Sequence, residues 1–460
     1  MIYFLGIGGI GMSALARWCQ QQGIEIAGYD KTASSITRFL ESQGVPISYE
    51  DRKETIPAKL LQDKQGKLVV YTPAVPADTE ISQTLRSHAL PFLKRSQMLG
   101  IISKPYFSVA IAGTHGKTTT SSMIGHMLMH SKRPCTAFVG GISRNYTSNF
   151  LSDAGNREDQ VLVVEADEFD RSFLTLTPDI AVVTAMDADH LDIYGEATNM
   201  YQSFREFVGK VKPGGKLFIN HKIVNLLKNH VPAGVTLYTY GLDSGTFQAT
   251  DINVFDNKFI FNIQSPEINM EHLNLSMPGF HNVENAISAI AVGWSLGLSE
   301  KEIRESLATY SGVKRRFEYI VEQPDLVYID DYAHHPVEIK ALLFSVRKIY
   351  PKKKITAIFQ PHLYSRTRDF YQEFAHSLSM ADEVILLDIY PAREKPIPGV
   401  SSELIAKELN VPFELIDADH VCELLATKEP EVLLTIGAGD IDQLVEPIAK
   451  QLKEQHDRQK

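Results

Sequence analysis

Short apolar runs recur along the chain, separated by segments of helix length. "IYFLGI", "IEIAGYD" and "KLVVYT" come first, then "YFSVAIAG", "QVLVVEAD" and "DIAVVTAMD", then "DLVYIDDY", "KITAIFQ", "EVILLDI" and "VLLTIGAG". Continuous apolar strands, in place of strict alternation, are buried on both faces, as in parallel sheets covered by helices. The pattern therefore predicts an α/β fold with three strand sets, over 1–104, 105–312 and 313–460. "SKPYF" and "YSGVKRRFE" mark the junctions. Residues 235–275 alternate polar and apolar positions and predict a small antiparallel patch. No internal repeat or low-complexity tract interrupts the pattern, and only the tail "KEQHDRQK" reads as frayed.

Composition narrows the partners. The 460 residues are 44% hydrophobic and 22% charged, as in an ordinary globular protein of several domains. A formal net charge of -10 leaves no basic footprint, which argues against nucleic acid and requires any anionic ligand to be held by local clusters. Cys19, Cys135 and Cys422 lack metal or redox spacing and fit a reducing compartment. No apolar run reaches the length of a membrane span. The N-terminus has an apolar stretch ending in Ala14-Leu15-Ala16 but no basic leading region, so a cytoplasmic protein without membrane insertion is expected.

Three groups of residues carry chemistry. In "MIYFLGIGGIGMSALARW", Gly6, Gly8 and Gly11 follow a strand and open a helix, and Asp30 closes the next strand 19 residues after Gly11. Alone, this spacing describes a dinucleotide site. "VAIAGTHGKTTTSSMIGHML" then presents Gly113, Gly116, Lys117 and Thr118 between a strand and a helix, a phosphate loop in which Ile111 replaces the usual first glycine. Backbone N–H groups would cradle phosphates, Lys117 would reach the β- and γ-phosphates, and Thr118 would ligate Mg²⁺. Acids follow at two strand ends, Glu165, Asp167 and Glu168 in "QVLVVEADEFDRSF" and Asp187, Asp189 and Asp192 beside His190 in "TAMDADHLDIYG". Such positions border the ligand crevice of a parallel sheet.

The third group lies in the last strand set. "GVKRRFEYI" carries Lys314, Arg315 and Arg316, "IDDYAHHPVE" carries Asp330, Asp331, Tyr332, His334 and His335, and "FQPHLYSRTRDF" carries His362, Tyr364, Arg366 and Arg368. Together they read as an anion clamp for phosphates and a carboxylate. The adjacent histidines diverge on a turn and lack a third ligand at metal spacing, so zinc is not expected. A nicotinamide oxidoreductase would leave the triphosphate apparatus unexplained, and a nucleotide switch would leave the first domain and the last arginines idle. An ATP-dependent ligase uses all three groups.

The ordered motifs GIGGIGMS, GTHGKTTT, EADEFDRSF, DADHLDIYG, FHNVENA, KRRFE, DDYAHHPVE and QPHLYSRTRD resemble the Mur ligases of peptidoglycan synthesis, in all three parts of the chain. The resemblance implies a Rossmann-like N-terminal domain that binds a UDP-sugar, a central P-loop ATPase-type parallel sheet with a small antiparallel patch, and a Rossmann-like C-terminal domain for the amino acid. It implies amide-bond formation driven by ATP and Mg²⁺, with UDP-N-acetylmuramate and L-alanine as substrates and an acyl phosphate as intermediate. The glycine fingerprint then serves the sugar nucleotide's diphosphate through Gly8, Gly9, Ile10 and Gly11, with Arg95 of "LKRSQMLG" as a further contact.

By the same resemblance Gly113, Thr114, His115, Gly116, Lys117, Thr118 and Thr119 hold ATP, and Thr118, Glu165 and His190 hold metal. His281, Asn282 and Asn285 fall on the adenine side, and Arg316 and Asp331 on phosphates and ribose. Tyr332, His334 and Arg366 form the amino-acid pocket, and Lys117, Glu165, His190 and Arg316 form the catalytic set. Two departures stand out. Leu363 follows "QPH" where many alanine-adding relatives have a basic residue, which shifts carboxylate recognition toward Arg366. Arg205 stands where sister ligases place a carbamylated lysine, so no carbamate is expected even though Lys210 is near. A relative that recycles a ready-made tripeptide shares the "GTHGK" histidine and is the alternative within the family.

Overall fold

The computed structural model describes residues 1–62, 65–153, 159–187, 197–255, 257–392 and 394–459. β1 (Ile2–Leu5), β2 (Ile26–Tyr29), β3 (Ile47–Ser48), β4 (Leu68–Tyr71) and β5 (Phe92–Lys94) form an all-parallel sheet in the order β3-β2-β1-β4-β5. The order reverses direction between β1 and β4, the switch point at which open α/β sheets bind ligands.

A second sheet is built on β6 (Phe107–Ala112), β7 (Cys135–Ser143), β8 (Ser148–Ser152), β9 (Val161–Glu165), β10 (Ile180–Val183), β11 (Lys216–Asn220) and β12 (Thr236–Gly241). These run in the order β12-β11-β10-β6-β9-β7-β8, parallel except for β7 against β8. Along β6 every residue after Phe107 is buried, as a strand covered on both faces requires.

β13 (Phe247–Phe255) and β14 (Lys258–Gln264) instead alternate in burial, and β15 (Asn269–Leu275) pairs antiparallel with β14, Phe259 opposite Leu275. The antiparallel pairing predicted over 235–275 is thus present at β14 and β15, whereas β12 lies parallel to β11. Residues 221–235 give that connection the length a parallel crossover needs.

The third sheet contains β16 (Glu318–Glu322), β17 (Val327–Asp331), β18 (Ile355–Phe359), β19 (Glu383–Leu386), β20 (Phe413–Leu415) and β21 (Val432–Ile436) in the order β16-β17-β21-β18-β19-β20. Only β16 runs antiparallel to its neighbour.

Contacts gather the chain into two compact units, 1–248 with 287–306, and 249–286 with 307–460. The first unit has one core shared by its two sheets. Phe4, Met12 and Leu15 belong to the same buried cluster as Leu99, Ala110, Phe138, Phe150 and Leu162. A satellite cluster of Tyr3, Leu5, Val69, Ile81 and Leu85 covers the other face of the first sheet. In the second unit Tyr328, Ile358, Ile385, Leu433 and Ile448 form the corresponding core. Truncating one of the large buried side chains to alanine would cost about 3–5 kcal/mol. Among the described residues no helix is long and apolar enough to cross a membrane.

Candidate active site

The first glycine loop leaves β1 at the switch point. Gly6 has φ +85, and a Cβ there would lie 2.6 Å from Thr72 Cγ2, so only glycine fits. The N–H groups of Gly6 and Ile7 both donate to the carbonyl of Tyr29, at 2.8 and 3.1 Å. Gly9 begins the helix Ile10–Gln21, which has neither a capping side chain nor an acid in its first turn. An uncapped helix start of this kind leaves backbone N–H groups that can receive an anion. Asp30 accepts the Gly8 N–H at 2.8 Å on one oxygen and the Thr32 N–H at 3.2 Å on the other. The acid that completed the dinucleotide spacing is therefore satisfied by backbone and ties the loop to β2. Above the helix start lies Arg95, close enough that a Cβ on Gly11 would come 2.8 Å from its Nη1.

The second loop follows β6, between β9 and β10. Gly113 has φ +137 and no room for a Cβ beside Thr184 Oγ1, and Gly116 caps the helix Lys117–His130 in a left-handed conformation, φ +80. Thr114 donates its N–H to Ala185 at 3.0 Å and accepts the Asp187 N–H at 3.1 Å. His115 Nε2 lies 3.3 Å from Asp187, and the Thr184 hydroxyl meets the carbonyls of Ala112 and His115. The loop is thereby clamped to the end of β10. Thr119 lies buried in the first helical turn.

Lys117 is the centre of this loop. Its Nζ donates to Gly113 O at 2.6 Å and to Glu168 at 2.8–2.9 Å, and Glu168 is fully buried. Burial alone would lower the Lys117 pKa, but Glu168, Asp167 and Glu165 outweigh it and hold the ammonium above its ordinary value. Thr118 Oγ1 donates to Glu165 at 3.1 Å, and the other Glu165 oxygen accepts the Gly140 N–H at 2.9 Å. A Cβ on Gly140 would collide with that carboxylate. The Thr118 hydroxyl and Glu165 carboxylate are hard oxygen donors beside a phosphate loop, the donor type that suits Mg²⁺. His190 lies outside the described residues. Among the described residues no group of three or more His, Cys, Asp or Glu side chains forms a metal cluster.

The second unit holds the remaining candidates at and after the end of β17, just before β16, and early in the helices Phe280–Ser295 and Tyr364–Leu378. Asp331, last in β17, accepts the N–H groups of Phe317 and Ala333 at 2.7 and 2.8 Å. Burial pushes its pKa up to about 6, against the pull of Arg316. His281, in the helix Phe280–Ser295, is pushed down to about 4 by burial and by Arg316. Asn282 Nδ2 donates to Pro278 O at 2.6 Å and Asn285 Nδ2 to Asn282 Oδ1 at 3.4 Å, which fixes the start of that helix.

Both Arg315 and Arg316 place their guanidinium carbons 5.2 Å from the Tyr332 ring centre. Arg315 is held structurally, donating to Asp330 at 3.1 Å and to Gly437 O at 2.6 Å. Arg316 lies 3.6 Å from Glu338, whose other oxygen accepts the N–H groups of His334 and His335 at the start of the helix Pro336–Ile349. The ring of His334 packs 6.0 Å from His362, and His362 Nδ1 lies 3.3 Å from buried Arg366. Leu363, at φ +72, turns the chain into the helix Tyr364–Leu378 that carries Arg366.

Gly8, Gly9, Ile10, Gly11, Arg95, the 113–119 loop and Glu165 thus belong to the first unit, and His281, Asn282, Asn285, Arg316, Asp331, Tyr332, His334 and Arg366 to the second. Sequence reasoning passed over Gly140, which has no local motif. It placed Glu168 among the strand-end acids of the ligand crevice and gave Glu338 no role. The signal for Glu338 was its place three residues after His335, the spacing of a capping box.

Comparison with known proteins follows the same division. The profile "Mur ligase family, catalytic domain" matches residues 1–107, "Mur ligase middle domain" 111–293, and "Mur ligase, glutamate ligase domain" 315–439. The UDP-N-acetylmuramate--L-alanine ligase of Christiangramia forsetii is 45% identical over 451 residues, covering 98% of this chain and 97% of its own length. That of Flavobacterium psychrophilum is 46% identical over 454 residues, covering 98% of each. Among solved structures, the UDP-N-acetylmuramate-alanine ligase of Thermotoga maritima superposes with a TM-score of 0.81 at 27% identity, covering 100% of this chain and 99% of that one. A murein peptide ligase from Psychrobacter arcticus shares the fold, with a TM-score of 0.70 at 23% identity and 98% of each chain covered.

Proposed function

Because the chain belongs to the Mur ligase family, we propose that it joins L-alanine to the carboxylate of UDP-N-acetylmuramate, with ATP converted to ADP and phosphate in peptidoglycan precursor synthesis. The observation that carries this reading in the geometry is the pairing, within one compact unit, of a diphosphate cradle whose Asp30 is satisfied by backbone with a triphosphate loop centred on Lys117. An NAD enzyme has no use for the second loop, and a simple nucleotidase none for the first.

In the proposed reaction a muramyl carboxylate oxygen attacks the γ-phosphorus of ATP and the bond to ADP breaks. The acyl phosphate provides the leaving group that a carboxylate lacks. The alanine amine then attacks the carbonyl carbon, sheds a proton, and the tetrahedral intermediate releases phosphate. Lys117 supplies positive charge at the transferred phosphoryl group, and the N–H groups of the 113–119 loop orient the triphosphate. Gly8, Gly9, Ile10, Gly11 and Arg95 hold the sugar diphosphate. Thr118, Glu165 and His190 are the proposed Mg²⁺ ligands, and the bound ion would neutralise phosphate charge. In the second unit His281, Asn282, Asn285, Arg316 and Asp331 are assigned to the nucleotide, and Tyr332, His334 and Arg366 to alanine. Domain limits of 1–104, 105–312 and 313–460 go with these assignments.

The test is phosphate release by the purified chain with ATP and Mg²⁺, adding UDP-N-acetylmuramate, then L-alanine, glycine, L-serine or the muropeptide tripeptide, with product masses determined. Turnover requiring both the UDP-sugar and L-alanine is expected. Turnover with the tripeptide in place of alanine, or hydrolysis indifferent to both, would overturn the reading.

A further inference from the structure

The helix Arg95–Ser103 is attached at several points to the turn that follows β9. At its start, Lys94 pairs with Asp170 at 2.8 Å and Arg95 with Asp167 at 3.1 Å. At the next residue Thr175 Oγ1 donates to Ser96 O at 2.9 Å, and further along the backbone of Gly100 packs so closely that a Cβ would lie 2.7 Å from Thr175 O. The turn itself holds Asp170 and Arg171 at φ +51 and +56, left-handed values that cost energy for residues with side chains and persist only where surroundings impose them. Asp167 anchors that turn from within, accepting the Phe169 N–H at 3.1 Å on its side chain and the Phe173 N–H at 2.9 Å on its carbonyl.

These attachments connect the two loops. On one side of Asp167, Arg95 reaches over Gly11. On the other, the next residue, Glu168, holds Lys117. We infer that Asp167 is a coupling residue, through which occupation of the UDP-sugar loop and of the triphosphate loop favour one another. The inference rests on the functional reading above. A diphosphate at Gly8–Gly11 orders the Arg95 guanidinium, which fixes the Asp167 carboxylate and the turn that presents Glu168 to Lys117. A triphosphate at Lys117 orders the same turn from the other end. Each ligand thus removes part of the ordering cost of the other, and linkage makes the effect reciprocal.

The experiment is calorimetric titration of UDP-N-acetylmuramate into the full chain, with and without saturating Mg²⁺ and a non-hydrolysable ATP analogue. For the natural chain the nucleotide tightens UDP-sugar binding by a factor within about 5–150. In Asp167→Asn, an isosteric change that removes the charge, the two dissociation constants converge to within about twofold. Asp167→Glu, which keeps the charge, retains tightening of at least about threefold. A residue acting on the nucleotide alone would weaken nucleotide binding equally with and without the sugar, so an unaltered ratio in Asp167→Asn overturns the proposal. So does a natural chain that turns over both substrates yet shows no tightening. Nucleotide binding without any UDP-sugar binding would instead overturn the functional reading beneath it.

Discussion

Lys117 in the first unit and Arg316 in the second are both cations set among buried groups, and their surroundings act in opposite ways. Lys117 has three carboxylates in its field, one of them fully buried Glu168, and its charge is reinforced. Arg316 stands beside His281, held neutral, and Asp331, whose carboxyl is pushed up to about 6. In the proposed reaction the first arrangement stores a charge against the arrival of the triphosphate. The second uses one permanent charge to tune groups that burial has pushed toward neutrality. A lysine surrounded by acids can exchange partners when phosphate enters, whereas a guanidinium is fixed in charge and acts on its neighbours.

Three changes break or sharpen this contrast. The largest effect is expected from Lys117→Met, which removes the stored charge. By the measure of a deleted transition-state donor, kcat/KM for phosphate release should fall about 100- to 1000-fold. A fall of less than about tenfold would deny Lys117 its role.

The second change concerns pH. His281 has a folded pKa of about 4 against an ordinary 6.5, so its contribution to stability is present above 6.5 and lost as pH falls toward 4. Asp331 has a folded pKa of about 6 against an ordinary 3.8, so its contribution is full below 3.8 and lost as pH rises through 6. Between pH 4 and 6 the two slopes oppose each other. Relative to the natural chain, urea unfolding of His281→Gln should show stability declining with rising pH, and Asp331→Asn stability increasing, each by up to about 3 kcal/mol. Slopes of the same sign would mean the pair is not tuned as described.

The smallest effect is expected at Asp30. Asp30→Asn keeps an oxygen for the Gly8 N–H and should cost about 1 kcal/mol or less in thermal unfolding, with the KM for UDP-sugar altered severalfold at most. A large rise in KM would show the acid reaching a ligand directly.

Much of this was legible from residue order because the constraints are local. Continuous apolar runs marked the buried parallel strands, and the glycines of both loops sit at the sharp turns where strand gives way to helix. What escaped notice depends on partners distant in sequence. Glu168 and Lys117 are separated by 51 residues and Arg95 and Asp167 by 72, and no periodicity announces such pairs. Asp30 was visible by spacing, but its engagement with Gly8 depends on the loop's three-dimensional closure. β12 was hidden for a different reason. It runs from exposed Thr236 to buried Tyr240 and Gly241, with no continuous apolar run to mark it as a parallel strand, and the crossover before it sets its direction.

The division of the chain has a consequence for its synthesis. Residues 287–306 belong to the first unit, although residues 249–286 of the second precede them. They bring Trp294 to within 5.6 Å of Phe247 and 6.0 Å of Tyr238, and Glu302 to 3.9 Å from Arg133. A growing chain that has emerged as far as residue 248 therefore lacks the helix that covers these aromatic rings. At ordinary elongation speeds the gap lasts several seconds, roughly 3–12 s. During that interval the nascent first unit exposes apolar surface, and a chaperone with affinity for such surface has its natural opportunity there.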